Sequence, residues 1–238
     1  MNTRPVLITG AGGYLGSQLL AALASDKGAS GSIVAVDVRD IPAHRRLRGV
    51  EYCQASADLA KLFKSRMPEV VVHLASIVTP GKHSNREFEY SVDVLGTENV
   101  LNACLAAEVK KIIVTSSGAA YGYYPDNPAW ITEDCRVRGN ESFAYAHHKR
   151  LVEEMLLRWR SGHPELQQVV LRVGTILGET VHNQITDLFE KPLLLVIRGS
   201  DSPFVFIWDQ DVVGSIRHAI SADKTGIYNV AGDGALSL

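Results

Sequence analysis

The sequence predicts an α/β chain built on a doubly wound parallel sheet. Three observations carry that expectation. Short β-rich apolar runs alternate with longer stretches of helical periodicity, the first run passes directly into a glycine-rich turn, and an acidic residue closes the second run. Pro5–Thr9 (PVLIT), Ser32–Asp37 (SIVAVD), Glu69–Leu74 (EVVVHL), Lys111–Ser116 (KIIVTS) and Gln167–Arg172 (QQVVLR) read as strands buried on both faces, because they lack the polar alternation of a half-solvated strand. Helical patterns lie near residues 14–26, 58–66, 88–107 and 143–161. Strand–helix–strand order requires right-handed crossovers between parallel strands, and ligands then sit beyond the carboxyl ends of the strands. Residues 1–174 are expected to form the main domain. Residues 175–238 are expected to contribute the last helix and strand and part of a small second lobe.

Composition narrows the partners. The 238 residues are 46% hydrophobic and 21% charged, which argues for a packed fold rather than a disordered or fibrous chain. A formal net charge of −2 gives no electrostatic reason to expect nucleic acid or an anionic membrane, so a small polar molecule is the expected partner. Cys53, Cys104 and Cys135 are odd in number and show no CxxC spacing, so neither a disulfide framework nor a zinc site is expected and a cytoplasmic location is. The first residues run into a short apolar strand and then glycines, so no export signal is expected, and no apolar run approaches the length of a bilayer span. Eight histidines show no HExxH or paired-ligand spacing, so no metal is expected. His147 and His148 are expected at a surface or interface, His73 buried and hydrogen-bonded, and Trp208, Asp209 and Asp211 at the cap of a helix.

The turn Gly10-Ala-Gly-Gly-Tyr-Leu-Gly16 has the chemistry of a dinucleotide site. Gly10, Gly13 and Gly16 permit a tight turn, close approach of backbone to phosphate, and close packing of helix on strand. The N-terminus of the next helix offers free N–H groups and a favourable dipole to a pyrophosphate. Asp37, about 20 residues further on, would accept from the ribose hydroxyls and repel a 2′-phosphate, which favours NAD over NADP although Arg39 lies nearby. Tyr145 and Lys149 are four apart and share a helix face, where an ammonium favours a phenolate and makes a proton shuttle. Alone, such a pair is ordinary helix surface. Ser117, at the end of the preceding strand, supplies a hydroxyl for a substrate oxygen.

These pieces together resemble the extended short-chain dehydrogenase/reductases, the NAD-dependent epimerase/dehydratase family. The matching segments are TGAGGYLG (9–16), Asp37, Asp58-Leu59, HLAS (73–76), VLGTENVLNAC (94–104), TSSGAAYG (115–122), YAHHK (145–149), LRVGTILG (171–178) and FVFIWDQDVV (204–213), in family order. The resemblance implies a Rossmann fold and pyrophosphate contacts from the backbone of Tyr14 and Leu15. It further implies that Asp58 and Leu59 line the adenine, that Leu74, Ala75, Ser76 and Val173 lie along the cofactor, and that Ser117, Tyr145 and Lys149 are catalytic. Ile77, Ser117 and Thr175 are the substrate-side candidates, and a homodimer is implied.

Departures from the pattern narrow the expected chemistry. Asp93 stands where many members have Asn; an extra carboxylate there would alter cofactor contacts or be solvated. Thr175 and Phe204 stand where nucleotide-sugar enzymes carry an Asn and an Arg that grip a diphosphate, so a smaller sugar-like or hydroxy-acid substrate is expected. Gly118 and Ala119 replace the acidic residues that dehydratases need. Lys82 and His83 are candidate counter-charges near the substrate. The chain reaches GDGALSL where members usually continue into a helical substrate lobe, so that lobe is expected to be small and partly missing. The expected function is NAD-dependent oxidation of a secondary alcohol, as a dehydrogenase or an epimerase. The alternatives are a nucleotide-sugar 4-epimerase, an NADP-dependent carbonyl reductase and a non-catalytic dinucleotide sensor.

Overall fold

A computed structural model describes residues 3–26, 31–55, 58–183, 185–193 and 203–237; the parts of the 175–238 segment at 184, 194–202 and 238 lie outside them. Strand β1 (Thr3–Thr9) leads into helix α1 (Tyr14–Ser25), followed by β2 (Gly31–Asp37), β3 (Val50–Gln54), α2 (Leu59–Arg66) and β4 (Val70–His73). Helix α3 (Arg86–Tyr90) continues through a π-turn (Ser91–Leu95) into α4 (Gly96–Ala106). Then come β5 (Lys111–Ser117), a 3₁₀ turn (Gly118–Tyr121), α5 (Ala144–Gly162), β6 (Gln167–Val173), β7 (Thr175–Leu177), α6 (Thr186–Phe189), β8 (Phe206–Trp208), α7 (Asp209–Ser221) and β9 (Gly226–Val230).

Seven strands pair in the order β3-β2-β1-β4-β5-β6-β9, every pair parallel. Successive strand residues face opposite layers. Leu7, Val71, Ile112 and Val170 pack under α2, α4 and α5, while their neighbours Ile8, Val72, Ile113 and Leu171 pack under α1 and α7. Burial on both faces accounts for the unbroken apolar runs in the sequence. β9 is the last strand expected of residues 175–238, and β3 is an addition at the other edge; the burial of both is partial, as edge strands allow, and VEYCQ and GIYNV therefore read as mixed sequence. Chain reversal at β1 puts β2 on one side and β4 on the other, which opens a crevice at the carboxyl edge. The segment after Gly174 leaves the sheet for a two-stranded β7–β8 ribbon and returns to it through α7 and β9. Among the described residues no helix is long and apolar enough to cross a membrane.

Candidate active site

The turn after β1 is shaped by backbone crowding. Gly10 has φ +73°, and a Cβ there would lie 2.6 Å from the Ala75 nitrogen, so the turn and the segment after β4 touch main chain to main chain. A Cβ on Gly16 would meet the Ala11 backbone at 2.8 Å. Gly13 caps α1 without a side-chain bond, and the first helical turn carries no acidic residue, which leaves the helix N-terminus open to an anion. The Asp37 side chain is 6% exposed; Oδ2 accepts from Gly12 N–H at 2.9 Å and Oδ1 from Arg39 N–H at 3.0 Å. Asp37 therefore supports the turn, and Gly12 joins the residues that shape it. Arg39 Nε lies 3.7 Å from the same carboxylate, with the side chain largely in solvent.

A cavity of about 670 Å³ opens at the start of α1, lined among others by Gly12, Gly13, Tyr14, Gln18, Arg45, Thr180 and Trp208. Its size suits a small ligand, and its walls do not include Ser117, Tyr145 or Lys149. Asp209 and Asp211 lie in the first turn of α7, as the sequence indicates, and the Asp209 carboxylate also accepts from Tyr14 Oη at 2.6 Å and Gln18 Nε2 at 2.5 Å, tying α7 to α1. Trp208 is the N-cap residue but makes no side-chain cap bond. The carboxylate beside it pushes the Tyr14 phenol up, after burial, and those bonds outweigh burial to hold Asp209 below the usual carboxylate range. A partnership 195 positions apart leaves no local signal in the sequence.

Asp58 is the N-cap of α2, accepting from Lys61 N–H at 3.0 Å, and Leu59 is buried behind it. Leu74 N–H bonds to Thr9 carbonyl at 3.0 Å, which holds residues 74–76 beside the glycine turn. His73 is buried as expected. Its Nδ1 lies 2.7 Å from Thr9 Oγ1 and its Nε2 3.0 Å from Thr97 Oγ1. Thr97 donates its one hydroxyl proton to the Asp93 carbonyl, so the imidazole must donate from Nε2 and accept at Nδ1. Burial, aided by the Lys149 charge, lowers its pKa to about 3.

At the other end of the crevice, β5 and α5 bring the Ser117, Tyr145 and Lys149 elements together. Lys149 is buried, donates to the Thr115 carbonyl at 3.0 Å, and lies 5.6 Å from the Tyr145 ring centroid. Ser117 ends β5, where its hydroxyl accepts from Ala119 N–H at 3.2 Å, and its register partner on β6 is Val173. Tyr123 is exposed, and the Phe143 ring lies 6.2 Å from its ring and 6.1 Å from that of Tyr145, which marks Tyr123 as a neighbour that the motif did not name. Behind Ser117, Ser116 Oγ donates to Glu153 at 2.5 Å, and Arg172 meets Glu153 at 2.6 Å with both side chains buried. Arg172 also donates to Tyr121 Oη at 2.7 Å.

Two expectations about this end are corrected. Asp93 is 3% exposed, not solvated, and its Oδ1 accepts from Ile77 N–H at 2.9 Å. His148 is 1% exposed and faces inward. The helical pattern assigned it to an outer face because the π-turn packed against α5 is invisible to a 3.6-residue period. Thr175 N–H bonds to the Val205 carbonyl at 3.0 Å, and the Phe204 ring stacks on Phe206 with centroids 6.0 Å apart and meets Phe189 edge-on at 5.4 Å. Lys82 and His83 are exposed. Elsewhere, exposed His182, Asp187 and Glu190 bring ligand atoms within 4.8 Å of one another, a grouping common on surfaces without an ion.

A model of the NAD dependent epimerase/dehydratase family matches residues 6–231. An uncharacterised protein of Mycobacterium tuberculosis is 26% identical over 241 residues, covering 98% of this chain and 63% of that protein. A UDP-glucose 4-epimerase of Azospirillum brasilense is 31% identical over 181 residues, covering 73% of this chain and 49% of that enzyme. The chain thus spans less than two thirds of these relatives' length. Among solved structures, MoeE5 in complex with UDP-glucuronic acid and NAD superposes with a TM-score of 0.79 at 25% identity, covering 98% of this chain and 78% of that one.

Proposed function

The chain belongs to the NAD-dependent epimerase/dehydratase family, and from that premise we propose that it is an NAD-dependent enzyme that oxidises a secondary alcohol of a small sugar-like or hydroxy-acid substrate. The observation that carries the reading is the buried Lys149 beside Tyr145, fixed on β5 just before Ser117. The cofactor's residues in this reading are Gly10, Gly13, Tyr14, Leu15, Gly16, Asp37, Asp58, Leu59, Leu74, Ala75, Ser76, Tyr145, Lys149 and Val173. The fit rests on the tight glycine turn, where Gly10 and Gly16 pack main chain against main chain, and on a helix N-terminus with no side-chain cap, whose N–H groups suit a pyrophosphate.

Bound NAD supplies the acceptor for the hydrogen and two electrons that leave the substrate carbon. Acting as a phenolate beside the Lys149 ammonium, the Tyr145 oxygen takes the hydroxyl proton and becomes a neutral phenol, and Ser117 Oγ hydrogen-bonds the substrate oxygen. Ile77 and Thr175 flank the substrate. Residues 1–174 serve as the cofactor domain and 175–238 as the substrate-side segment; a homodimer in the cytoplasm belongs to the same reading. A second reading, a nucleotide-sugar 4-epimerase, is favoured by what the relatives act on, whereas Phe204 within an aromatic cluster offers no cation to a diphosphate.

The test is a substrate panel of polyols, sugar acids and UDP-sugars, followed by NADH absorbance and by epimer analysis. Tyr145→Phe is expected to lower turnover on any hit by about 10²- to 10⁴-fold with NAD affinity intact. Unchanged turnover in that variant contradicts the assignment.

A further inference from the structure

Asp93 sits in the π-turn between α3 and α4, and His148 sits in α5 between Tyr145 and Lys149. Both are buried, and their functional groups face one another, Oδ2 to Nδ1, at 3.5 Å. Oδ1 is occupied by Ile77 N–H, while Oδ2 and both imidazole nitrogens have no hydrogen-bond partner among the described residues. The other rings around His148 are Tyr90, edge-on at 5.8 Å, and His147 at 6.0 Å. A buried carboxylate oxygen without a donor is costly, and so is a buried imidazole without an acceptor. Each residue supplies what the other lacks.

We propose that Asp93 and His148 act as one positioning unit, His148 Nδ1–H to Asp93 Oδ2, that holds the segment Leu74–Ile77 against the helix carrying Tyr145 and Lys149. The two oxygens of one carboxylate thereby connect a loop and a helix that are far apart in the chain. The unit rests on the proposed function only for the roles of what it connects. A π-turn is common where a helix must present a functional group, and here it carries the carboxylate between loop and helix.

The experiment uses the full ¹⁵N-labelled chain as wild type, His148→Phe, His148→Gln and Asp93→Asn/His148→Phe. Imidazole ¹⁵N shifts, hydrogen exchange at the Ile77 amide and NAD titration are read on each. One imidazole signal, absent from both His148 variants, should carry its proton on Nδ1. The Ile77 amide should exchange about tenfold faster in His148→Phe, although Ile77 is untouched, because the unpaired carboxylate is drawn toward water. The double variant should return to near the wild-type rate, since a neutral amide still accepts from Ile77 and needs no imidazole proton. His148→Gln, which keeps a donor and guards against a folding failure, should fall between. An Nε2-protonated tautomer, unchanged exchange in both single variants, or no recovery in the double variant overturns the proposal. Faster exchange with unchanged NAD affinity upholds the unit and contradicts the assignment of residues 74–76 to the cofactor.

Discussion

The turn after β1 and the end of β5 lie on the same carboxyl edge of the sheet, yet they are built from opposite materials. At the first, Gly10 and Gly16 bring backbone against backbone, and a single carboxylate, Asp37, pins Gly12 from the next strand. At the second, buried side chains do the work: Lys149 on the Thr115 carbonyl, Glu153 on Ser116 and Arg172, Asp93 on Ile77. A surface made of main chain suits a ligand whose phosphates seek N–H groups, and one made of buried polar side chains suits chemistry that moves a proton. The two regions should therefore fail in different ways.

The largest effect is expected at the β5 end. Glu153→Gln leaves the Arg172 guanidinium buried without its counter-charge and should cost about 3 kcal/mol or more in urea unfolding. Replacing both by apolar residues, Glu153→Leu with Arg172→Met, should recover most of that loss if the pair serves geometry more than stability; a double variant as unstable as the single would show that Ser116 and Tyr121 also depend on the charges. The turn should respond less in stability and more in binding. Gly10→Ala must relieve both a left-handed φ and a 2.6 Å contact with Ala75, and should cost about 1–2 kcal/mol while weakening NAD at least about tenfold.

His73 lies between the two regions, and its titration separates them by pH. The folded pKa is about 3 and the ordinary histidine value 6.5, so between those pH values only the unfolded chain binds the extra proton. Its contribution to stability is complete above pH 6.5 and is lost as pH falls through that window, at about 1.4 kcal/mol per unit. His73→Gln should flatten the slope of unfolding free energy against pH; an unchanged slope would assign the acid sensitivity to other groups. The smallest effect is expected from Asp37→Asn, which keeps an acceptor for Gly12 while removing the charge: the NAD-to-NADP affinity ratio should fall by about tenfold, measured by paired titrations.

How far the sequence could be read follows the same division. Five central strands, the glycine turn, Asp37 and the Tyr145–Lys149 spacing are local patterns enforced by burial or sterics, and each lies where the sequence indicates. The edge strands β3 and β9 are half-buried and lack a clean period. Asp209 with Tyr14, Arg172 with Glu153, and Asp93 with His148 join residues far apart in the chain, where only the folded sheet makes neighbours. His148 was misassigned for a specific reason: a helix wheel says which face a residue occupies, not what packs on that face.

The claim that the β1 turn holds NAD carries the rest, and it can be tested without knowing the substrate. Freshly purified protein would be denatured and any released nucleotide identified by mass spectrometry, with NAD and NADP titrations on the same preparation. The account predicts NAD, either retained in stoichiometric amount, as an enzyme that recycles it would show, or bound reversibly in preference to NADP. Binding of neither dinucleotide, or preference for NADP, would contradict it.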